Sequence, residues 1–122
     1  MTKKYTIRPG RVFSCDYSNS DLRKYDFSNK NLDNVTFKGS DLSCAAFNNT
    51  SLRDCVFDGA NLTGAYFIDA DLTNSSFRGA VLEDTTLDGA KFTIELREAA
   101  ALTNVIFTQD QFKWLILNPK FP

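Results

Sequence analysis

From Tyr17 to Phe92 a large apolar side chain returns at every fifth residue. The series is Tyr17, Leu22, Phe27, Leu32, Phe37, Leu42, Phe47, Leu52, Phe57, Leu62, Phe67, Leu72, Phe77, Leu82, Leu87 and Phe92. The same spacing continues through Arg97, Leu102, Phe107, Phe112 and Leu117, with Arg97 its single polar member. Five is neither the helical period near 3.6 nor the strand period of two. A chain with this repeat must fold as something other than an ordinary helix or a long strand.

A second register lies two residues earlier and is mostly small: Cys15, Ser20, Ala45, Thr50, Cys55, Ala60, Ala65, Ala70, Ser75, Ala80, Thr85 and Ala90. Val35 also fits it, whereas Tyr25 and Lys30 loosen the early units. A large and a small apolar group two residues apart share one face of a short extended segment. The other three positions are rich in Asp, Asn, Ser, Thr and Gly, which suit bends and solvent. One such unit cannot bury a core, but stacked units can, which is the logic of a solenoid.

Leu and Phe alternate, so four units per turn stack Leu on Leu and Phe on Phe, whereas three would stack Leu on Phe. Gly39, Gly59 and Gly79 form a column at spacing twenty, with Asn29, Asn49 and Asp69 midway. The reading is therefore four sides and twenty residues per coil, with coils about 4.8 Å apart. One side carries Leu22, Leu42, Leu62, Leu82 and Leu102. The next carries Phe27, Phe47, Phe67, Leu87 and Phe107; the third Leu32, Leu52, Leu72 and Phe92; the fourth Tyr17, Phe37, Phe57 and Phe77.

"ANLTG", "AYFID" and "ADLTN" resemble the A-[DN]-[LF]-x-x units of the pentapeptide repeat family, and the resemblance spans roughly Cys15 to Gln109. It implies an all-β fold, a right-handed quadrilateral β-helix of about five coils, whose handedness comes from the resemblance alone. We divide the chain into an N-terminal cap (1–14), the β-helix (15–107) and a C-terminal helical cap and tail (108–122). At the end, Thr108 and Gln111 form a capping box before a helix near 109–117. Phe112, Leu115 and Ile116 share one helical face, and Asn118-Pro119 ends the helix. In the family such elements cap the coil and in several members build a dimer. Trp114 and Leu117, off the capping face, are the candidate homodimer contact.

Glu95 and Arg97 fall on both inward registers. Either that side bulges and leaves them in solvent, or they form a buried pair at a desolvation cost. Cys15 and Cys55 share a column two coils apart, roughly 10 Å, too far for a disulfide. Cys44 lies at a corner. Three free thiols suit a reducing compartment, and the start "MTKKYTIRPG" lacks the apolar stretch of a signal peptide, so the expectation is cytoplasmic.

The chain has no histidine, which removes His-based acid–base and nucleophilic chemistry and nearly every zinc site. "GANLTG" has two phosphate-loop glycines, but Ala65 and Tyr66 replace the Lys-Ser/Thr pair. The N-x-[ST] matches at Asn34, Asn48, Asn49 and Asn74 are by-products of an Asn/Ser/Thr-built repeat. We expect no enzyme, no cofactor, no metal, no membrane span and, at a net charge of −1, no direct nucleic-acid binding.

Function then belongs to outward positions. Tyr66, Ile68 and Ile106 form a candidate interaction patch on the side carrying Phe67. Asp69, Glu83, Asp84 and Asp88 form a candidate acidic patch, expected near one edge of the later coils. Residues 1–34 carry net +3 and residues 35–92 net −4. The expected role is a protein-interaction or scaffold module with an unidentified protein partner. The resemblance supplies the alternative: some family members resemble duplex DNA and protect DNA gyrase from quinolones or toxins. This chain departs from them in its near-neutral charge and uninterrupted register, and mimicry needs a strong negative field.

Overall fold

Each unit has five positions, as in Ala60-Asn61-Leu62-Thr63-Gly64. The first and third point inward, the second sits on the outer face, and the fourth and fifth form the turn to the next side. The computed structural model describes residues 16–92 and 105–106. Within them every fifth position, from Asn19 to Gly89, has a positive φ between 53° and 71°. This left-handed backbone turns the chain by one corner per unit. Glycine adopts it freely, and Asn and Asp tolerate it better than other side chains. Turn hydrogen bonds close many of these corners, such as Ala45 N donating to the Leu42 carbonyl at 3.0 Å.

After four corners the chain lies over itself. Parallel bridges join residues twenty apart, including Asp21↔Asp41↔Asn61↔Val81 and Asp26↔Ala46↔Tyr66↔Thr86↔Ile106. The Tyr66 carbonyl accepts from Phe47 N at 2.7 Å, and Tyr66 N donates to the Ala45 carbonyl at 3.0 Å. The fold is the right-handed quadrilateral β-helix, with the twenty-residue coil that the Leu/Phe alternation demands. Extended runs are short: β1 (Asp71–Leu72) pairs in parallel with β2 (Lys91–Phe92), and most other contacts are single bridges. The turn after every third position interrupts each side before a longer strand can form.

The inward registers fill the shaft. Leu22, Leu42, Leu62 and Leu82 are fully buried, as are Leu32, Leu52 and Leu72. Phe27, Phe47 and Phe67 stack nearly parallel at 4.9 and 4.8 Å, and Phe37, Phe57 and Phe77 at 5.1 and 5.0 Å. The two columns meet edge to face across the shaft, as Phe47 and Phe57 do at 5.9 Å and 90°. Small inward residues carry a polar task as well. Thr50 and Thr85 donate from Oγ1 to the carbonyls of Phe27 and Leu62 one coil earlier, at 2.9 and 2.8 Å. Ser40 does the same toward the Tyr17 carbonyl and belongs to this buried register, although the sequence reading did not place it there.

The early looseness is visible at Tyr25, half-buried with its ring 5.9 Å from that of Phe27. The N-terminal cap, the Glu95/Arg97 break, the C-terminal helix and the Trp114/Leu117 contact lie outside the described residues.

Candidate interaction face

A second-position Asp or Asn accepts the fourth position's backbone N–H, making an Asx turn. Asp41, Asn61 and Asp71 each do so through Oδ1 at 3.1 Å, toward Ser43, Thr63 and Thr73. This is the physical content of the [DN] in the repeat. Ser51, Tyr66 and Ser76 occupy second positions without a carboxylate or amide. There the fourth N–H is taken by a side chain of the preceding coil: Arg53 N by Asp33, Ile68 N by Asn48 and Arg78 N by Asp58, at 2.9, 3.0 and 3.1 Å. These three buttresses were not anticipated. Their signal is an acid or amide twenty residues before a fourth position whose own unit lacks the Asx.

Asn48 supplies that bond for the unit of Tyr66, whose ring stands in solvent. Tyr66, Ile68 and Ile106 are 45%, 36% and 51% exposed, and they are the exposed large hydrophobics among the described residues. All three lie on the side whose core is Phe27, Phe47, Phe67 and Leu87. Tyr66 and Ile68 flank Phe67 directly. Ile106 stands two coils on, with Thr86 between it and Tyr66.

The four candidate acids divide between the two edges of that side. Glu83 and Asp84 form the turn that leads into it, and Asp88 lies in the turn that leads out. Asp69 occupies the same outgoing corner one coil earlier, its N–H donating to the Asp88 carbonyl at 2.9 Å. The expected gathering at one edge does not occur, because fourth and fifth positions always fall at the end of their own side. Among the described residues none of the four takes part in an ion pair.

The ion pairs among the described residues lie elsewhere. Arg53 pairs with the buried Asp33 at 2.8 Å, and Ser51 Oγ donates to the same carboxylate at 2.6 Å. Burial pushes the Asp33 carboxyl up, but the hydrogen bonds from Arg53 and Ser51 outweigh it and hold it below the usual range. Arg23 pairs with Asp21 at 2.8 Å in a recess that Lys24 and Tyr25 also line. Hydrogen bonds from Ser28, backbone first, hold Asp26 low. Cys44 is exposed and Cys55 buried, both free, and burial pushes the Cys55 thiol up to about 12. Among the described residues no three His, Cys, Asp or Glu side chains gather as a metal site, and no helix is long and apolar enough to cross a membrane.

A four-sided shaft with a left-handed corner in every unit defines a class of solenoid proteins. The model of the pentapeptide repeat region matches residues 11–92, and the chain belongs to the pentapeptide repeat family. It is similar to a pentapeptide repeat protein of the Arabidopsis thaliana thylakoid lumen, at 27% identity and a TM-score of 0.81, over 93% of this chain and 81% of that one. A pentapeptide repeat protein from Nostoc PCC 7120 shares the fold at 21% identity and a TM-score of 0.63, over 76% of this chain and 84% of that one. A plasmid-mediated fluoroquinolone resistance protein aligns at 14% identity and a TM-score of 0.46, over 87% of this chain and 73% of that one, too distant to bear on function. No curated protein sequence matches the chain.

Proposed function

We propose that this chain is a non-catalytic protein-interaction module that engages its partner through the Phe67-bearing side. One observation carries the reading: the exposed large hydrophobics of the described shaft, Tyr66, Ile68 and Ile106, all lie on that side. Tyr66 and Ile68 share one unit, and Ile106 returns to the same side two coils on. A flat, rigid ladder presents them without loop motion, which keeps the ordering entropy of association low. The free thiols Cys44 and Cys55 support a reducing, cytoplasmic setting for that partner. The test is cross-linking from position 66 in cells, with a photoreactive residue there and a control at position 56 on the opposite side. A partner captured at 66 and not at 56 supports the reading. Identical profiles from both positions refute it.

A further inference from the structure

The chemistry of that side specifies what lies on it. We propose that it receives an amphipathic helix with an apolar stripe bordered by Lys and Arg. This rests on the interaction reading above and adds the partner's chemistry.

Three observations converge. The apolar residues run along the coil axis: Tyr66 and Ile106 stand two coils apart, about 10 Å. A helix advances about 10.5 Å in seven residues, so apolar groups at i and i+7 reach both, with i+4 over Thr86. Carboxylates border the stripe on both edges, Glu83 and Asp84 on one and Asp69 and Asp88 on the other. Among the described residues none of these four takes part in an ion pair, unlike Asp21 with Arg23 and Asp33 with Arg53. Finally, the described part of this side from Phe47 onward, its two turns included, carries no Lys or Arg; Lys91 lies past the outgoing corner on the next side, and Arg23 and Lys24 belong to the first coil. An apolar line between two acidic edges complements an apolar line between two basic ones. It also disfavours an anionic lipid surface, which the same carboxylates would repel.

The probe is a short synthetic Leu/Lys helix with Leu at i, i+4 and i+7, titrated into the full chain by fluorescence anisotropy at low and high salt. A peptide with Glu in place of every Lys is the charge control. Two variants divide the proposal. Tyr66→Ser/Ile68→Ser removes the apolar line. Asp69→Asn/Glu83→Gln/Asp84→Asn/Asp88→Asn removes the edges and keeps the fold, because Asn tolerates the left-handed φ of 57° and 58° at positions 69 and 84. We expect wild type to bind the Lys peptide and not the Glu peptide. Each variant weakens binding at least ~10-fold, and the neutralised one loses the salt dependence. Val56→Ser on the opposite side leaves affinity unchanged.

If only the neutralised variant binds as wild type does, the basic partner is refuted while the interaction side stands. If the serine pair also binds as wild type does, both fall. No binding by wild type overturns the helix. So does a wild-type dimer in light scattering that the serine pair turns monomeric, because a second copy would then cover the side.

Discussion

Phe57, Phe67 and Phe77 offer an internal scale for what ring packing contributes to the shaft. All three are at most 1% exposed, so replacing each with Leu carries nearly the same transfer and volume term, below about 1.5 kcal/mol. Among the described residues their aromatic neighbours differ. Phe57 contacts four rings: Phe37 and Phe77 stacked at 5.1 and 5.0 Å, Phe47 and Phe67 edge-on at 5.9 and 5.8 Å. Phe67 contacts three, those of Phe47, Phe57 and Phe77. Phe77 contacts two, those of Phe57 and Phe67. An aromatic pair contributes about 0.5–1.5 kcal/mol beyond its buried area. A Leu recovers part of each contact, so about 0.5 kcal/mol per ring is the working figure. Phe57→Leu should therefore destabilise by about 1 kcal/mol more than Phe77→Leu, with Phe67→Leu between them. Urea unfolding followed by circular dichroism reads the midpoints at constant m-value. Three equal losses would refute the ring-counting argument and leave burial alone as the source of core stability. The reverse order would place the sensitive point at the end of the column instead of its middle.

Four further predictions follow from the corners, the ion pair and the thiols. Lys24 holds φ 63° and should gain about 1 kcal/mol as Gly in thermal or urea unfolding, provided the stem of Lys24 adds no packing. Gly59→Ala should lose about 1 kcal/mol from its φ of 67° alone, since its Cβ would meet open space. The folded Asp33 carboxyl lies below its unfolded value, so its pairing stabilises the fold above the unfolded pKa of about 3.9 and is lost as pH falls through the folded one. Asp33→Asn should accordingly be less stable than wild type at pH 7, with the gap closing in acid; a pH-independent gap would assign the loss to packing. In a Cys15→Ser background, a thiol-exchange reagent should titrate Cys44 in the folded protein and Cys55 only after denaturation, given its burial and its thiol pushed up to about 12.

The inward half of this molecule was legible because each buried position repeats one environment many times. Phe47 and Phe67 read as core from spacing alone, and they stack at 4.8 Å. The corners were only half legible. The glycine column at 39, 59 and 79 led to the right coil length, yet it marks no special corner: Asn29, Asn49 and Asp69 hold φ 64°, 55° and 57° in equivalent turns. Glycine, Asn and Asp are near-interchangeable where the backbone is left-handed, so their distribution among corners carries little architectural information. The buttresses stayed hidden for a different reason. Asp33 reads as one more polar letter, and its meaning depends on Ser51 and Arg53, eighteen and twenty residues on. Only the coil length makes those residues neighbours. The division of Asp69, Glu83, Asp84 and Asp88 between two edges was hidden likewise, since it needs the position of each turn relative to its side.

The exposed pair at Tyr66 and Ile68 joins these two kinds of information. A second position normally serves the fold by closing an Asx turn, as Asn61 does for Thr63 at 3.1 Å. Tyr66 cannot do so, and an unbonded N–H at Ile68 would weaken the corner beneath it by about 1 kcal/mol. Asn48 removes that penalty from one coil away, accepting from Ile68 N at 3.0 Å. The apolar pair is thus supported by a side chain that itself lies on the same side. Asn48→Ala should then loosen the Ile68 corner, raising amide exchange at Ile68 above that at Thr63, whose partner Asn61 is intact. Equal exchange at both amides in the variant would mean that water replaces Asn48 without loss, and that the corner carrying the pair needs no buttress.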